Sequence, residues 1–382
     1  MVSTQRPRWI WEYPEWPELG WSGSDIGMIL RRVTLLEGEL IGAAGGLAGG
    51  ERAQELDGML SNILSSAAIE GERLDANSVR SSLAKRLNLA SDGSPMSPDE
   101  EGIVQVLMDA TSRKDNQITK SRLLEWHTWL FPADSPSADG IIVGDWRGDD
   151  PMRVVSGPIN KRRVHYEAPP RDRVDQEMDS FIAWVNSSTV REQVPPEIMS
   201  ALAHLWFVTI HPFDDGNGRI ARAIGDFVLA RADGSVARWF ALPTAIYADR
   251  RGYYSMLENT QKNSPVDVTP WVRWYLSTME LAITRTVTRI RATVDKTRLW
   301  KKLETMPVND RQRKVLNKML DSEVPGTFKL TRQRYQSMTK SPSATATRDI
   351  RSLVDMGVIE TMGGSTGRGV GYQLTSDWQK GQ

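Results

Sequence analysis

The residues best suited to chemistry lie together in one short segment, residues 211–222, which reads HPFDDGNGRIAR. His211 supplies an imidazole that accepts a proton near neutral pH, as a general base must. Asp215 supplies a carboxylate of the kind that binds Mg²⁺ between phosphates. Arg219 and Arg222, three residues apart on a predicted helix, supply forked donors for phosphate oxygens. A base, a metal ligand and fixed positive charge are the components that phosphoryl-type transfer requires.

The backbone around these side chains predicts an anion site. Pro212 disfavours helical geometry at the residue before it, so the apolar helix that precedes the segment should end at His211. Gly216 and Gly218 permit tight backbone geometry, and a helix with one apolar stripe is expected over residues 219–231. The unpaired N–H groups and the dipole of such a helix start favour phosphate. The alternative interpretation is a capped turn whose side chains are only solvated. It is disfavoured because the base, the carboxylate, the glycines and the arginines all occur in order in one short segment.

The segment resembles the signature of the Fic family, His-x-Phe-x-(Asp/Glu)-Gly-Asn-Gly-Arg-x-x-Arg, at every defined position. The resemblance implies a mostly α-helical protein with a Fic core, in which His211 deprotonates a Tyr, Thr or Ser hydroxyl of a target protein. It implies that Asp215 holds Mg²⁺ between the α- and β-phosphates of ATP. Family members with lysine in place of the second glycine are kinases, so Gly218 indicates transfer of AMP. The residues that the resemblance assigns to nucleotide binding are Gly216, Asn217, Gly218, Arg219, Ile220, Ala221, Arg222, Tyr253 and Tyr254.

Two further features follow from the same resemblance. A β-hairpin is predicted around Val154 and Val164, where such proteins have a flap that aligns the backbone of the target. Tyr253 and Tyr254 lie where related chains line the adenine pocket. For each tyrosine, ordinary packing in a helix core is the alternative.

A second motif predicts autoinhibition. Residues 66–71 read SAAIEG and resemble the inhibitory helix of the family, (Ser/Thr)-x-x-x-Glu-(Gly/Asn), with Ser66 and Glu70 at the defined positions. A carboxylate inserted beside Arg222 would bind its guanidinium and keep the γ-phosphate of ATP from its productive place. The alternative interpretation is that Glu70 is a solvated helix residue.

The region after residue 303 predicts a separate module. Helices are expected at residues 309–320, 331–338 and 343–355, followed by two strands around a glycine-rich segment, which is the order of a winged helix-turn-helix. The helix before this module should end at about Arg291. Between residues 285 and 351 the chain has 17 Lys or Arg against 6 Asp or Glu, a modest indication of an anionic partner.

DNA is one candidate partner of this module. Arg348 and Arg351 lie on its third helix, with Lys340 just before it and Arg368 in the predicted wing, and such residues contact phosphates or base edges. Asp349 and Asp355 on the same helix oppose this interpretation because they cancel the charge of the two arginines. Contact with a protein partner, or with a second copy in a homodimer, is the alternative role.

The length and composition limit which classes of protein are possible. A chain of 382 residues predicts two or three domains, for which residues 1–115, 116–292 and 293–382 are the expected limits. The net charge is zero and cysteine is absent, which excludes disulfides and thiolate metal sites and favours a cytoplasmic location. No apolar run reaches the ~20 residues that span a bilayer, so no membrane partner is expected.

The sequence therefore predicts a protein adenylyltransferase that uses ATP and Mg²⁺, modifies a target protein and itself, and is restrained by Glu70. Two alternatives remain open at this point. The same residues would serve the reverse reaction, removal of AMP from a modified protein, with Glu70 orienting a water molecule. A DNA-binding regulator that only senses nucleotide would also retain the segment.

Overall fold

The computed structural model describes residues 7–47, 50–91, 93–133, 136–158, 161–233, 239–303, 305–320, 328–362 and 370–375. The chain is mostly α-helical, as predicted. It divides into two compact units, the first comprising Met1–Ile41 and Gly49–Thr286 and the second Gly42–Ala48 and Val287–Gln382. The predicted N-terminal and catalytic regions therefore share one unit. No helix among the described residues is long and apolar enough to cross a membrane.

Helices build the first unit. Their bounds are Gly23–Ala44 (α1), Glu51–Glu70 (α2), Ala76–Arg86 (α3), Pro98–Ser112 (α4), Lys120–Leu130 (α5), Arg171–Asn186 (α6), Ser188–Gln193 (α7), Pro196–Ile210 (α8), Asn217–Asp233 (α9), Leu242–Ala248 (α10), Arg250–Gln261 (α11) and Thr269–Leu303 (α12), where α12 continues into the second unit. Short 3₁₀ turns lie at Ile10–Glu12 and Pro136–Ala138.

Helix α8 forms the centre of the first unit. Most of its residues are apolar, and all of them from Glu197 to Ile210 are buried. A helix that is apolar all round requires neighbours on all sides. Helix α9 is one of these neighbours, and its stripe of Ile220, Ile224 and Phe227 is fully buried. The turn between α8 and α9 is thus held between two buried helices, which is where the predicted reactive segment lies.

A β-hairpin lies beside this turn, as the valine pattern predicted. Strands β1 (Arg153–Ser156) and β2 (Arg163–Glu167) pair antiparallel, with a register shift between Val154 and Val155. The N-terminal segment supports the hairpin, because Trp9 packs edge-on against Tyr166 at 5.4 Å between ring centroids. The indole N–H of Trp11 also donates to the carbonyl of Glu167 at 2.8 Å.

The second unit has its own apolar core. It contains helices α13 (Asp310–Leu320), α14 (Arg332–Thr339) and α15 (Ser343–Asp355), then strands β3 (Ile359–Thr361) and β4 (Tyr372–Leu374), which pair antiparallel. This is the order predicted for a winged helix-turn-helix. The winged-helix assignment stays a prediction, since residues 363–369, with Arg368, lie outside the described residues.

The predicted end of α12 was wrong. The helix continues past Arg291 to Leu303, because residues 292–303 contain neither glycine nor proline and place Val294 and Leu303 in buried positions. Apolar positions at helical spacing keep the chain in a helix where no residue interrupts it.

Candidate active site

The turn that follows α8 gives His211 an unusual backbone conformation. His211 has φ 52° and ψ 58°, which is the left-handed region, and α8 ends at the residue before it, as Pro212 predicted. A non-glycine residue in this conformation costs about 1–2 kcal/mol, so the surrounding contacts must impose it. The N–H of His211 donates to the carbonyl of Phe207 at 3.0 Å.

The imidazole of His211 is oriented by one hydrogen bond. Its Nδ1 lies 3.0 Å from the carbonyl oxygen of Val208, which can only accept, so Nδ1 is the protonated nitrogen and Nε2 has the free lone pair. Burial lowers the pKa of His211, and the positive charge of Arg147 lowers it further, while the hydrogen bond to Val208 opposes the shift. The ring is therefore neutral at physiological pH and able to accept a proton.

Asn217 closes the turn on itself. Its side-chain oxygen accepts the N–H of Phe213 at 3.0 Å, and its amide donates to the carbonyl of Phe213 at 2.8 Å. Asn217 is 2% exposed, and its side chain is occupied by these two hydrogen bonds. Helix α9 begins at this residue, two positions before the predicted start at Arg219.

The turn packs on aromatic rings. Phe213 stacks on His127 with 4.1 Å between ring centroids, and burial lowers the pKa of His127 to about 4, so that this imidazole is neutral. Gly216 has φ 79°, and a Cβ there would lie 2.9 Å from the ring of Phe131. Glycine is needed at position 216 both for the backbone angle and for this close approach.

The start of α9 has the properties of an anion site. Asn217, Gly218 and Arg219 are the first residues of the helix, and their N–H groups have no intrahelical acceptor. The amide of Gly216, which was predicted to bind phosphate, donates instead to the carboxylate of Asp215 at 2.6 Å. Ile220 and Ala221 are buried on the opposite side of the helix.

Asp215 is the candidate metal ligand. Its side chain is 64% exposed at the mouth of the turn, and the described residues contain no cluster of three or more His, Cys, Asp or Glu that could hold a metal. One exposed carboxylate suits Mg²⁺, which takes few protein ligands and coordinates phosphate and water. The donor chemistry of Asp215 therefore fits a metal that arrives with the nucleotide.

Arg222 is 4% exposed and is held by the end of α2. Its Nη2 lies 2.8 Å from Oε1 of Glu70, and its Nε donates to the hydroxyl of Ser66 at 2.8 Å. The same Nη2 donates to the carbonyl of Ser66 at 3.0 Å. Ser66 and Glu70, the two defined residues of the predicted inhibitory motif, thus both contact Arg222, the arginine that the motif was predicted to block.

Gly71 explains how Glu70 reaches this position. It adopts φ 89° and ends α2, with its N–H donating to carbonyls of the last helical turn. The Oε1 atom of Glu70 stands directly over Gly218, where a Cβ would collide with it. Burial opposes ionisation of Glu70, but Arg222, Arg219 and Tyr254 outweigh it, and the pKa of Glu70 lies below its ordinary value. The carboxylate is therefore an anion at the start of α9.

Arg219 has a carboxylate partner that the sequence did not indicate. Its Nη1 lies 2.9 Å from one oxygen of Glu72 and 3.2 Å from the other. Glu72 follows the turn at Gly71, and its N–H donates to the carbonyl of Ala67. No motif placed Glu72 in the site, and its only sequence signal is a second acid two residues after Glu70.

The two tyrosines predicted to line the adenine pocket lie in different environments. Tyr253 is 2% exposed, and its hydroxyl lies 3.0 Å from Nε2 of the buried His204. Tyr254 is 37% exposed, and its hydroxyl donates to Oε2 of Glu70 at 3.3 Å. Tyr254 therefore borders the site in this conformation, whereas Tyr253 packs beneath it.

Comparison with known proteins agrees with this geometry. Residues 117–229 match the model of the Fic/DOC family. The chain contains a Fic domain. Upstream of it, residues 9–89 match a domain of unknown function (DUF4172).

Curated relatives of the Fic domain are protein adenylyltransferases. The chain is 32% identical over 121 residues to the protein adenylyltransferase Fic of Nematostella vectensis, covering 31% of this chain and 25% of the relative. It is 28% identical over 229 residues to the protein of the same name from Drosophila erecta, covering 58% of this chain and 41% of the relative. The chain thus spans less than half the length of these two relatives.

A crystal structure of a Fic family protein from Desulfovibrio desulfuricans has the same fold. It covers 94% of this chain and 98% of its own, with a TM-score of 0.53 and 20% sequence identity. Similarity at this level of identity establishes the fold alone.

The two hydrogen bonds by which Asn217 closes the Fic turn should contribute measurably to the free energy of unfolding. Asn217→Ala should lower the free energy of unfolding by about 1–3 kcal/mol, since it leaves a buried N–H and a buried carbonyl of Phe213 without partners. Urea denaturation followed by tryptophan fluorescence measures the change. Asn77→Ala, at an exposed position whose side chain makes no such contact, is the matched control and should change little. Equal losses in the two variants would contradict the role given to Asn217.

Proposed function

We propose that this protein transfers AMP from ATP to a Tyr, Thr or Ser hydroxyl of a target protein. One observation supports the proposal above the others. The free Nε2 of His211 lies in the short turn that leads directly into α9, and the buried Arg219 and Arg222 lie in the first two turns of that helix. A base and an anion site are thus held together by a rigid backbone, as transfer to a hydroxyl requires.

The reaction uses these groups in one displacement. The Nε2 of His211 takes the proton of the target hydroxyl, and the hydroxyl oxygen forms a bond to the α-phosphorus of ATP. The bond between the α-phosphorus and its bridging oxygen breaks, and pyrophosphate leaves with the electron pair. The backbone N–H groups of Gly218 and Arg219 face the phosphates, and Arg219 and Arg222 balance the charge of the departing pyrophosphate. The Mg²⁺ that Asp215 would hold adds positive charge at the phosphates.

The hairpin offers a surface for the target backbone. Among the described strands, β1 pairs only with β2, so its other edge is open to an added strand. A groove beside this edge is lined by Ile142, Val155 and Asp214, and the first two are large exposed hydrophobic residues. Asp214 also accepts the N–H of Ile142 at 2.9 Å, which fixes the groove to the Fic turn. An extended segment of the target bound here would lie close to His211.

The protein is proposed to be autoinhibited in the conformation described. Glu70 occupies the two sites that the γ-phosphate needs, the guanidinium of Arg222 and the space over Gly218. A carboxylate and a phosphate compete for the same donors, and the carboxylate is tethered, so it has the higher local concentration. Transfer requires that Glu70 leave this position.

Removal of Glu70 tests both the inhibition and the activity. Glu70→Gly should raise self-modification by labelled ATP by about 100-fold or more, because each tenfold in rate corresponds to about 1.4 kcal/mol. Mass spectrometry of the protein incubated with ATP and Mg²⁺ measures the added AMP. Glu51→Gly, an exposed acid in the first turn of the same helix, is the matched control and should stay at the wild-type level.

The double variant Glu70→Gly with His211→Ala separates catalysis from binding. It should bind ATP as tightly as Glu70→Gly and transfer no AMP, since only the base is removed. Nucleotide binding without transfer in Glu70→Gly itself would contradict the proposed activity and favour a nucleotide sensor. Removal of AMP from a modified target by the wild type would favour the reverse reaction.

Glu72 acts as a second restraint on the same site in this proposal. It binds Arg219 through both carboxylate oxygens, so that a single helix end occupies both arginines of the signature. Burial raises the pKa of Glu72, with the charge of Arg219 opposing the shift. The side chain is 39% exposed, and a solvent-screened pair of this kind contributes little compared with the pair at Arg222.

Glu72→Gln combined with Glu70→Gly should therefore transfer AMP about two- to fivefold faster than Glu70→Gly alone, as expected for an ion pair worth up to ~1 kcal/mol. With Glu70 intact the substitution should change little, because Arg222 remains occupied. Initial rates at subsaturating ATP measure the effect. Asp57→Asn, which removes an exposed α2 acid that pairs with Arg80, is the control. Equal rates for the two combined variants would exclude a role for Glu72.

DNA binding by the second unit is a second candidate function, favoured by the position of Asp349. This residue was expected to cancel the arginines of the third helix. It is instead 4% exposed and faces the core, where it accepts hydrogen bonds from Arg311 at 2.8 Å and from the hydroxyl of Tyr335 at 3.0 Å. The exposed residues of α15 include Thr347, Arg348 and Arg351, with Asp355 alone as an acid at the end of the helix.

Replacing Arg348 and Arg351 together by alanine should weaken binding to random duplex DNA. It should also reduce the slope of log K against log salt by about 1 for each phosphate that the variant no longer neutralises. Fluorescence anisotropy between low and moderate salt measures both quantities. The pair Arg80→Ala and Arg113→Ala, which removes two exposed arginines of the first unit, is the control. Identical slopes for the two double variants would contradict this function.

A further inference from the structure

Arg147 is a buried arginine in the loop before the hairpin, and it contacts the Fic turn at two consecutive residues. Its Nε donates to the carbonyl of His211 at 2.8 Å, and its backbone N–H donates to the carbonyl of Pro212 at 2.9 Å. The side chain is 1% exposed. Arg147 therefore binds the carbonyls of His211 and of the residue that follows it.

The same guanidinium reaches the base of the hairpin. Its Nη2 donates to the carbonyl of Pro169, which lies two residues after the end of β2. A second link runs in parallel, because the hydroxyl of Tyr166 on β2 donates to the carbonyl of Thr209 at 2.6 Å. The hairpin and the end of α8 are thus joined by two buried side chains, and Arg147 is the one that reaches His211 itself.

The left-handed backbone of His211 needs this kind of support. The N–H of His211 is held by Phe207 and its ring by Val208, both in α8. Its carbonyl is the remaining group, and Pro212 leaves the next position without an N–H. The hydrogen bond from Arg147 is therefore the contact that fixes the outgoing side of the residue, and a backbone in a costly conformation persists only where its surroundings over-determine it.

We propose that Arg147 is a positioning residue, which holds the imidazole of His211 at a fixed position relative to the hairpin that receives the target. The role rests on the proposed function, since it is the proton transfer to His211 that needs this geometry. An arginine suits the task because its planar fork can bind two carbonyls from different elements at once. A lysine would retain the charge but lacks the planar fork, so its single nitrogen would not hold the carbonyls of His211 and Pro169 in the same geometry.

The charge of Arg147 can be tested separately from its hydrogen bonds, through its effect on the pKa of His211. Burial lowers the pKa of His211, the hydrogen bond to Val208 raises it, Arg147 lowers it, and Glu70 and Asp215 raise it. If the positive charge is removed, the pKa of His211 should rise. The acid limb of the rate profile would then move to higher pH, because a larger fraction of the base is protonated at a given pH.

The test uses two variants of the full chain, Arg147→Met and Arg147→Lys. The chain has four histidines, so the ring of His211 can be followed by NMR titration and assigned with His211→Ala. Arg147→Met should raise the pKa of His211, whereas Arg147→Lys should leave it near the wild-type value. Arg113→Met, at an exposed ion pair, is the control and should leave it unchanged.

Kinetics in the Glu70→Gly background complete the test. Both variants should lower kcat by about 10- to 100-fold with ATP affinity unchanged, as expected for a base displaced by a fraction of an ångström to 1 Å. A wild-type pKa of His211 in Arg147→Met, or a kcat in both variants equal to that of the Arg113→Met control, would overturn the proposal. If the pKa of His211 moves as expected while Glu70→Gly itself transfers no AMP, the proposed function fails and only the contact between Arg147 and His211 is supported.

Discussion

The rest of this site depends on one constraint, which is that the buried guanidinium of Arg222 must always have an anion beside it. The group is 4% exposed and charged at every accessible pH. Leaving a buried charge without a partner costs about 3–5 kcal/mol, so Arg222 needs an anion even when no nucleotide is bound. Glu70 is the anion in the conformation described, at 2.8 Å, and the hydroxyl and carbonyl of Ser66 accept further hydrogen bonds from the guanidinium. Any nucleotide phosphate that binds must replace the carboxylate.

Inhibition and stability are therefore linked through the same contact. A site that binds phosphate well must contain a buried cation, and a buried cation without phosphate destabilises the fold. A carboxylate on the last turn of α2 resolves the conflict, although the dipole of that helix disfavours a negative charge at its C-terminus. Arg222, Arg219 and Tyr254 together outweigh the burial of Glu70, since the pKa of the carboxyl group lies below its ordinary value.

The sequence predicted the parts of the site that depend on local backbone chemistry. The end of α8 at His211 followed from Pro212, the tight turn followed from Gly216, and the hairpin followed from its valines. Contacts between elements distant in sequence were not predictable. Arg147 lies 64 residues from His211, and Glu72 lies 147 residues from Arg219. Neither stands in a motif, and a buried arginine or a second acid has no periodicity that reveals its partner. The expectation that Asp349 cancels the charge of the arginines on α15 failed for a related reason. The sequence placed Asp349 on that helix but did not show that its side chain faces the core.

The geometry at the end of α2 indicates how the restraint can be released without unfolding the helix. Earlier turns of α2 are fixed by Asn62, which donates to Asp226 at 3.0 Å, and by Ser65, which lies 2.9 Å from the hydroxyl of Thr244. The restraining groups, Glu70 and Glu72, lie after these contacts and on either side of Gly71. Gly71 tolerates both halves of the φ range, so a change of its backbone angles can move Glu72, which follows it, while α2 stays docked. Glu70 precedes Gly71 and belongs to α2, so its carboxylate leaves Arg222 only by rotation of its own side chain or by movement of the last turn. The two acids are thus released by different motions.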